Sequence, residues 1–119
     1  QKMMLIYISG PYTTGDIDVN IQRARKVAID LWEMGHSVIT PHLNTIHFEV
    51  DCKATYEQYI KGDLEMISRV DALVMLPGWG GSNGASIEWN YAKELGIPIY
   101  YAPDYPVLNQ SNIRIWKTS

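Results

Sequence analysis

Residues 71–84 read DALVMLPGWGGSNG, an apolar run that passes directly into a glycine-dense loop. The apolar part, 71–76, has the length and composition of a strand that is buried in a sheet. Residues 85–95 then show the pattern of a helix, which ends at Gly96, and 97–101 form another short strand. This succession of strand, loop, helix and strand is the building unit of a parallel sheet.

The chain before this segment repeats the alternation. Residues 4–8 are predicted to form a strand that closes at Ser9-Gly10-Pro11. Apolar residues then recur at helical spacing from Ile17 to Leu31, and Gly35 provides the stop. A further short strand is predicted over 37–40 and is ended by Pro41.

The remaining segments are less regular. We interpret 42–54 as a long loop with a partial helix, followed by a helix that begins at Thr55. In the tail, Val107-Leu108 or 113–116 could add an edge strand. The alternation predicts a single α/β domain over 1–119, a flavodoxin/Rossmann-like three-layer α/β/α fold with a four- or five-stranded, mainly parallel sheet.

Composition excludes several classes of function. The chain has 119 residues, 46% of them hydrophobic, and a formal net charge of -3, which argues against binding to polymeric nucleic acid or an anionic membrane. Its single cysteine, Cys52, fits a reducing compartment, and the first apolar run is too short for a signal peptide or a membrane span. We therefore expect a cytoplasmic protein.

A ligand site is expected beyond the carboxyl ends of the strands, where open parallel sheets bind ligands. The loops that leave those ends begin at Ser9-Gly10, Pro41-His42 and Pro77-Gly78. The first loop has neither a dinucleotide fingerprint nor a Walker lysine, and the histidines lack the spacing of a metal site. We expect no cofactor and no metal.

Glu88 is the strongest candidate for chemistry. It lies one helical turn after Gly84, at a predicted helix start that Ser82 can cap. The glycine would leave open space above the carboxylate, and the helix N-terminus would favour its ionised form, as a nucleophile needs. The spacing alone leaves equally open that Glu88 is an ordinary acidic residue near a helix start.

Asp63 is the second candidate. On the predicted second long helix, its carboxyl group could protonate or orient a leaving group. Its spacing alone favours a solvated residue beside Lys61 and Glu65. Asp71 opens a strand at the opposite end of the sheet from the site, and we interpret it as structural.

These motifs resemble one known family. The chain is similar to the nucleoside 2-deoxyribosyltransferase-like superfamily, which also holds 2'-deoxynucleoside 5'-monophosphate N-glycosidases. Its short DUF4406-type branch shares the segment found here as Leu76-Pro77-Gly78-Trp79. The residues that carry the resemblance are Tyr7-Ile8-Ser9-Gly10-Pro11, the segment 20–36, Asp63-Leu64, Ser82-x-Gly84-x-x-x-Glu88, Ala92 and Gly96-Ile97-Pro98.

The resemblance implies a reaction and a role for each matching residue. Glu88 would attack the anomeric carbon of deoxyribose, and Asp63 would assist departure of the nucleobase. Tyr7 and Gly10 would line the site, and Ser82 and Gly84 would bind the 5' end of the nucleoside or its phosphate. The other predicted substrate-binding residues lie in the three loops: Ser9, Pro11, Tyr12, His42, Gly78 and Trp79.

The predicted function is that of an N-glycosidic bond enzyme, a hydrolase or deoxyribosyltransferase, acting on a nucleoside or nucleoside 5'-monophosphate. A non-catalytic nucleotide-binding protein that uses the same pocket is the alternative, and a structural or interaction domain with a vestigial site is a weaker one. The tryptophans and tyrosines are many for this length, so a homodimer or higher homo-oligomer is expected.

Overall fold

The computed structural model describes residues 3–44 and 53–104. Its strands and helices follow one another in the predicted order, with one short additional helix after β2. They are β1 (Leu5–Ser9), α1 (Ile17–Glu33), β2 (Ser37–Ile39), α2 (Pro41–Asn44), α3 (Tyr56–Ile67), β3 (Ala72–Met75), α4 (Asn83–Leu95) and β4 (Ile99–Tyr101), with a 3-10 turn at Trp79–Gly81 between β3 and α4.

Within the described ranges, the sheet has four strands in the order β2-β1-β3-β4, and every neighbouring pair is parallel. The chain runs outward from β1 to β2 and then crosses back to β3 on the other side of β1. The strand order therefore reverses between β1 and β3, which is where such folds open a crevice for ligands. The predicted α/β fold class is confirmed, whereas the possible edge strands at 107–108 and 113–116 lie outside the described residues.

The alternation of side chains along β1 builds two cores. Ile6 and Ile8 point to one face of the sheet, where they pack with Ala24, Ala28 and Leu31 of α1. Tyr7 points to the opposite face, into the core that α3 and α4 cover. Ser9 is also buried and shares the face of Tyr7 by the same period of two. One strand thus aims two hydroxyl groups at the α3–α4 side.

Side-chain caps set where the helices begin. Asp16 accepts hydrogen bonds from the backbone N–H groups of Asp18 and Val19 at the start of α1. Ser82 accepts one from Ala85 N at 3.2 Å, so α4 begins at Asn83, earlier than predicted. At the far end of the sheet, Asp71 Oδ2 accepts from Leu5 N at 2.9 Å, which agrees with the structural role expected for it.

Gly10 lies where the first loop leaves the sheet beside β3. Leu76 N donates to Ser9 O at 2.8 Å and draws the two chain segments together. A Cβ at Gly10 would lie only 2.6 Å from Leu76 Cβ, so only glycine fits this close approach. This close contact fixes the position at which the first loop leaves the sheet.

Candidate active site

A cavity of about 430 Å³ opens at the carboxyl ends of β1 and β2 and is roofed by α3 and α4. It lies at the carboxyl edge of the sheet, where such folds bind ligands, and its lining also includes the start of α4, the helix that follows β3. Most of the predicted site residues line it: Tyr7, Gly10, Tyr12, His42, Asp63, Ser82, Gly84 and Glu88. The structure therefore brings both candidate carboxyl groups, from different helices, to one hollow. Their roles in binding or chemistry remain predictions.

Glu88 is held by the two hydroxyl groups of β1. Its side chain comes from the second turn of α4 and is only 6% exposed. Ser9 Oγ donates to Glu88 Oε1 at 2.6 Å, and Tyr7 Oη donates to Oε2 at 3.0 Å. Each carboxyl oxygen thus has one fixed donor, which sets the plane of the group and stabilises its charge.

Asp63 reaches the same point from α3. Its half-buried carboxyl group interacts electrostatically with both Glu88 and Tyr7. Two carboxylates at one point repel each other, so the ionisation of one makes the other harder to ionise. The two groups therefore form a carboxyl pair whose titrations depend on each other.

Burial sets the protonation of this carboxyl pair. Desolvation is the main cause that raises the pKa of Glu88 to about 8, and the charge of Asp63 adds to it, while the hydroxyl bond from Ser9 acts in the opposite direction. Burial also raises the pKa of Asp63, against hydrogen bonds from Glu88 and Tyr7 that lower it. The pKa of Tyr7 lies well above its usual value for the same reason, so Tyr7 stays a donor.

The helix start was expected to favour the ionised form of Glu88, but burial raises the pKa of this carboxyl group instead. The favourable effect of a helix start is confined to its first turn, and Glu88 lies in the second turn of α4. Desolvation and the neighbouring Asp63 outweigh any remaining effect of the dipole. The sequence pattern locates the carboxyl group but does not give its charge.

Gly84 has a different role from the one its spacing suggested. A Cβ at this position would lie 3.1 Å from Tyr56 Oη and 3.4 Å from Ile60 Cδ1. The glycine admits α3 close to the start of α4, and Tyr56 and Ile60 occupy the direction that a Cβ would take. This contact closes the roof of the cavity next to the carboxyl pair.

One face of α3 contributes wall residues that the sequence interpretation missed. Tyr56, Tyr59 and Ile60 line the cavity together with Asp63. Counted from Tyr56, the other three lie three, four and seven residues further along the chain, which is the spacing of a single helix face. This periodicity could have identified the wall residues from the sequence, because Asp63 lies on the same helix face.

The first loop and the end of β2 form the opposite wall. Tyr12 and His42 meet edge to face, with ring centroids 5.7 Å apart and an interplanar angle of 80°. Pro11 does not line the cavity, but its carbonyl oxygen lies 2.7 Å from His42 Nε2. Asn20 holds the loop by donating from Nδ2 to the carbonyl oxygens of Tyr12 and Thr14, at 2.9 and 2.8 Å.

Comparison with known proteins gives the family. Residues 4–101 match the family model described as Domain of unknown function (DUF4406). The chain belongs to the DUF4406 family. It is also similar to a solved structure, the 2-deoxyribosyltransferase of the psychrotolerant bacterium Bacillus psychrosaccharolyticus, with a TM-score of 0.59 and 27% identity over 82% of this chain and 70% of that one. No curated protein matches the sequence significantly.

These findings confirm the resemblance on which the sequence interpretation drew. The DUF4406 protein is a member of the nucleoside 2-deoxyribosyltransferase-like superfamily. The similar enzyme has been characterised as a biocatalyst for the industrial synthesis of antiviral and antitumoral nucleosides.

The glycine-dense loop of this DUF4406 protein departs from its predicted role. Gly78 and Trp79 were expected to contact the substrate, but neither is among the described residues that line the cavity. Trp79 instead stacks on Trp89, with centroids 5.2 Å apart and planes at 22°, and Trp89 Nε1 donates to Tyr101 Oη at 3.0 Å. The positive φ of Gly78, 84°, starts the turn that sends the indole toward α4 and β4.

Two further properties of the DUF4406 protein concern the described ranges alone. Across 3–44 and 53–104, no group of three or more His, Cys, Asp or Glu side chains is arranged to hold a metal ion. Over the same ranges, none of the helices combines the length and the apolar character needed to cross a bilayer.

The buried carboxyl of the DUF4406 protein has a measurable effect on stability. Since the pKa of Glu88 rises on folding from 4.5 to about 8, its contribution to the free energy of unfolding is full below pH 4.5 and is lost as the pH rises through about 8. Glu88→Gln removes this ionisation. As the pH rises from acidic to alkaline, we expect the free energy of unfolding of the variant to increase by several kcal/mol relative to that of wild type, at roughly 1.4 kcal/mol per pKa unit. Urea unfolding at several pH values measures the difference, and parallel profiles would contradict the assignment.

Proposed function

We propose that this protein cleaves the N-glycosidic bond of a nucleoside or nucleoside 5'-monophosphate, as a hydrolase or a deoxyribosyltransferase, with Glu88 as the nucleophile. The observation that carries the proposal is the carboxyl pair, Glu88 and Asp63, which lines one cavity; we infer that the pair shares one proton at neutral pH. The similarity to a 2-deoxyribosyltransferase supports it. A carboxylate nucleophile beside a carboxylic acid is the machinery of retaining glycoside chemistry.

The first step starts from the form of the pair in which the shared proton has moved from Glu88 to Asp63, so that Glu88 is ionised. A Glu88 oxygen forms a bond to C1' of the sugar, and the C1'–N bond breaks with its electron pair passing to the base. The proton of Asp63 moves to a nitrogen of the departing base, so the base leaves neutral. The product on the protein is a glycosyl ester of Glu88.

The second step reverses these roles. Water, or a second nucleobase, attacks C1', and the carboxylate of Asp63 accepts the proton that the attacking group loses. The ester bond breaks and Glu88 returns to a carboxylate. Two displacements at C1' leave the configuration at that carbon unchanged.

Tyr7 and Ser9 support both steps by positioning. Their hydroxyl hydrogen bonds lower the pKa of Glu88 and so oppose the effect of burial on the nucleophile. They also fix the carboxyl group in one orientation, at 3.0 and 2.6 Å. A fixed nucleophile needs no reorganisation at the moment of attack.

The 5' end of the substrate is proposed to lie at the start of α4. Ser82 and Gly84 line the cavity there, and the free backbone N–H groups of a helix start suit a hydroxyl or a phosphate. No lysine or arginine lines the cavity among the residues that the structure describes. Deoxynucleosides and their 5'-monophosphates must therefore be compared directly.

The test is release of free base by the purified protein. We expect turnover of at least one member of a panel of 2'-deoxynucleosides, their 5'-monophosphates and ribonucleosides, followed by chromatography. Adding a second free base distinguishes transfer, which yields a new nucleoside, from hydrolysis. A complete lack of turnover across the panel would contradict the proposal.

A second candidate function has an observation in its favour. With its pKa raised to about 8, Glu88 carries the shared proton in much of the population at neutral pH, and a protonated carboxyl group is no nucleophile. The protein could then hold a nucleotide without cleaving it. Calorimetry with the same panel would show binding with the ligand recovered intact, and recovery of free base would reject this candidate.

We also propose that the protein acts as a homodimer or higher homo-oligomer, for which the exposed aromatic residues Tyr56 and Tyr101 are the structural support. Size-exclusion chromatography with light scattering at micromolar concentration tests it, and a monomer would contradict it.

A further inference from the structure

His42 is a buried ring on the cavity wall whose hydrogen-bonding state is determined by its neighbours. It is only 6% exposed and lines the same cavity as the carboxyl pair. Its Nε2 lies 2.7 Å from the carbonyl oxygen of Pro11. A carbonyl oxygen only accepts, so Nε2 carries the hydrogen and donates.

The other ring nitrogen is therefore an acceptor. Burial lowers the pKa of His42, so the ring is neutral at physiological pH. A neutral ring with hydrogen on Nε2 has none on Nδ1, which can only accept. Among the described residues, no hydrogen bond to Nδ1 is found.

The strand order places His42 opposite the proposed 5' end. Ser82 and Gly84 stand at the start of α4, which follows β3, and His42 stands directly after β2. These strands flank β1, whose Tyr7 and Ser9 hold the nucleophile. A sugar centred above β1 with its 5' end toward α4 therefore extends its base toward β2.

The chemistry of that wall suits a flat heteroaromatic ring. Tyr12 meets His42 edge to face and gives the wall an aromatic surface. Hydroxyl groups elsewhere in the cavity can donate or accept, but the Nδ1 of an imidazole in this tautomer only accepts. A base that offered a carbonyl oxygen here would leave two acceptors facing each other, which is costly in a buried site.

We infer that His42 is a specificity-determining residue that accepts, through Nδ1, a hydrogen bond from an exocyclic amino group of the nucleobase. This inference rests on the proposed function for the identity of the ligand class. It predicts that bases with an amino group, such as adenine or cytosine, are preferred to analogues that lack it.

A matched pair of variants isolates the acceptor. His42→Asn and His42→Leu have nearly the same shape, and both lose the hydrogen bond to Pro11. Asparagine retains an oxygen near the position of Nδ1, whereas leucine has no polar atom. Any effect of the lost Pro11 bond on folding or loop position is therefore common to both, and their difference reports the polar amide. Because the paired substrates differ only in an amino group, a difference in their ratio reports the acceptor oxygen of that amide.

Each protein is assayed on 2'-deoxyadenosine and on the 2'-deoxyriboside of unsubstituted purine, with 2'-deoxycytidine and its analogue without the amino group as the pyrimidine arm. For each protein we take the ratio of kcat/KM for the amino-bearing substrate to kcat/KM for its analogue. We expect this ratio to be about tenfold higher in wild type and His42→Asn than in His42→Leu, mostly through KM. Comparing ratios between proteins cancels the difference in leaving-group ability.

Equal ratios in all three proteins would overturn the inference, as would a His42→Asn variant that behaves like His42→Leu. If wild type turns over no nucleoside, the proposed function fails by itself. Calorimetric Kd values of the same proteins for the same ligand pair then decide the role of His42, and equal affinities, or none, would count against it.

Discussion

Replacement of Glu88 by glutamine is expected to slow base release by about 10⁴-fold while the fold is kept. Glutamine has nearly the size of glutamate, and its oxygen can still accept from Ser9 or Tyr7, but it cannot form a glycosyl ester. Because the loss concerns the chemical step, kcat should fall while the Kd for the nucleoside changes little. Initial rates and calorimetry on the same preparations measure the two quantities.

A glutamate outside the site provides the control for this prediction. Glu65 lies on the exposed side of α3, where it pairs with Arg69, so Glu65→Gln makes the same change of side chain without touching the cavity. We expect its activity to equal that of wild type. Acid quenching of wild type during turnover should also trap a protein whose mass is increased by the sugar, with the adduct on the peptide that contains Glu88. Activity of Glu88→Gln within tenfold of wild type, or an adduct elsewhere, would remove Glu88 from the nucleophile's role.

The sequence predicts the location of this site well because two periodicities determine it. The step of four residues from Gly84 to Glu88 places the carboxyl one turn into α4, and the step of two along β1 brings Tyr7 and Ser9 to the same face. Parallel strands then gather all of these residues at one edge. Local pattern and topology are sufficient for this part of the site.

The charge state of Glu88 could not be predicted in the same way. It depends on how deeply the cavity is buried and on Asp63, which α3 delivers from a distant part of the chain. Spacing alone even favoured a solvated Asp63, because its sequence neighbours Lys61 and Glu65 are charged. Only the packing of α3 on α4, through Gly84, joins the two carboxyl groups.

The role of the loop after β3 could also not be predicted from the sequence pattern. Its glycines suggested close approach to a ligand, and Trp79 was therefore placed in the site. The direction of a long side chain in a loop depends on the turn type and on what it packs against. Here a positive φ at Gly78 and the stacking surface of Trp89 turn the indole away from the cavity.

Asp63→Asn is expected to lower kcat by about 10²- to 10³-fold on ordinary deoxynucleosides, because the base would have to leave without a proton. The loss should depend on the leaving group. A 7-methylguanine base leaves neutral without protonation, so its deoxyriboside should be cleaved by Asp63→Asn at close to the wild-type rate. Rates on 2'-deoxyguanosine and its 7-methyl analogue, measured with both proteins, give the comparison.

The pH dependence of activity tests the role of Asp63 independently. Wild type should lose activity as the pH rises above about 8, where the carboxyl pair gives up its last proton. In Asp63→Asn the causes by which Asp63 raises the pKa of Glu88 are gone, so the nucleophile ionises at lower pH and no acid remains to be titrated. Its activity on the 7-methyl substrate should therefore lack the alkaline fall. An equal loss on both substrates with an unchanged profile would mean that Asp63 only shapes the cavity, because a proton donor must be sensitive to how much its leaving group needs the proton.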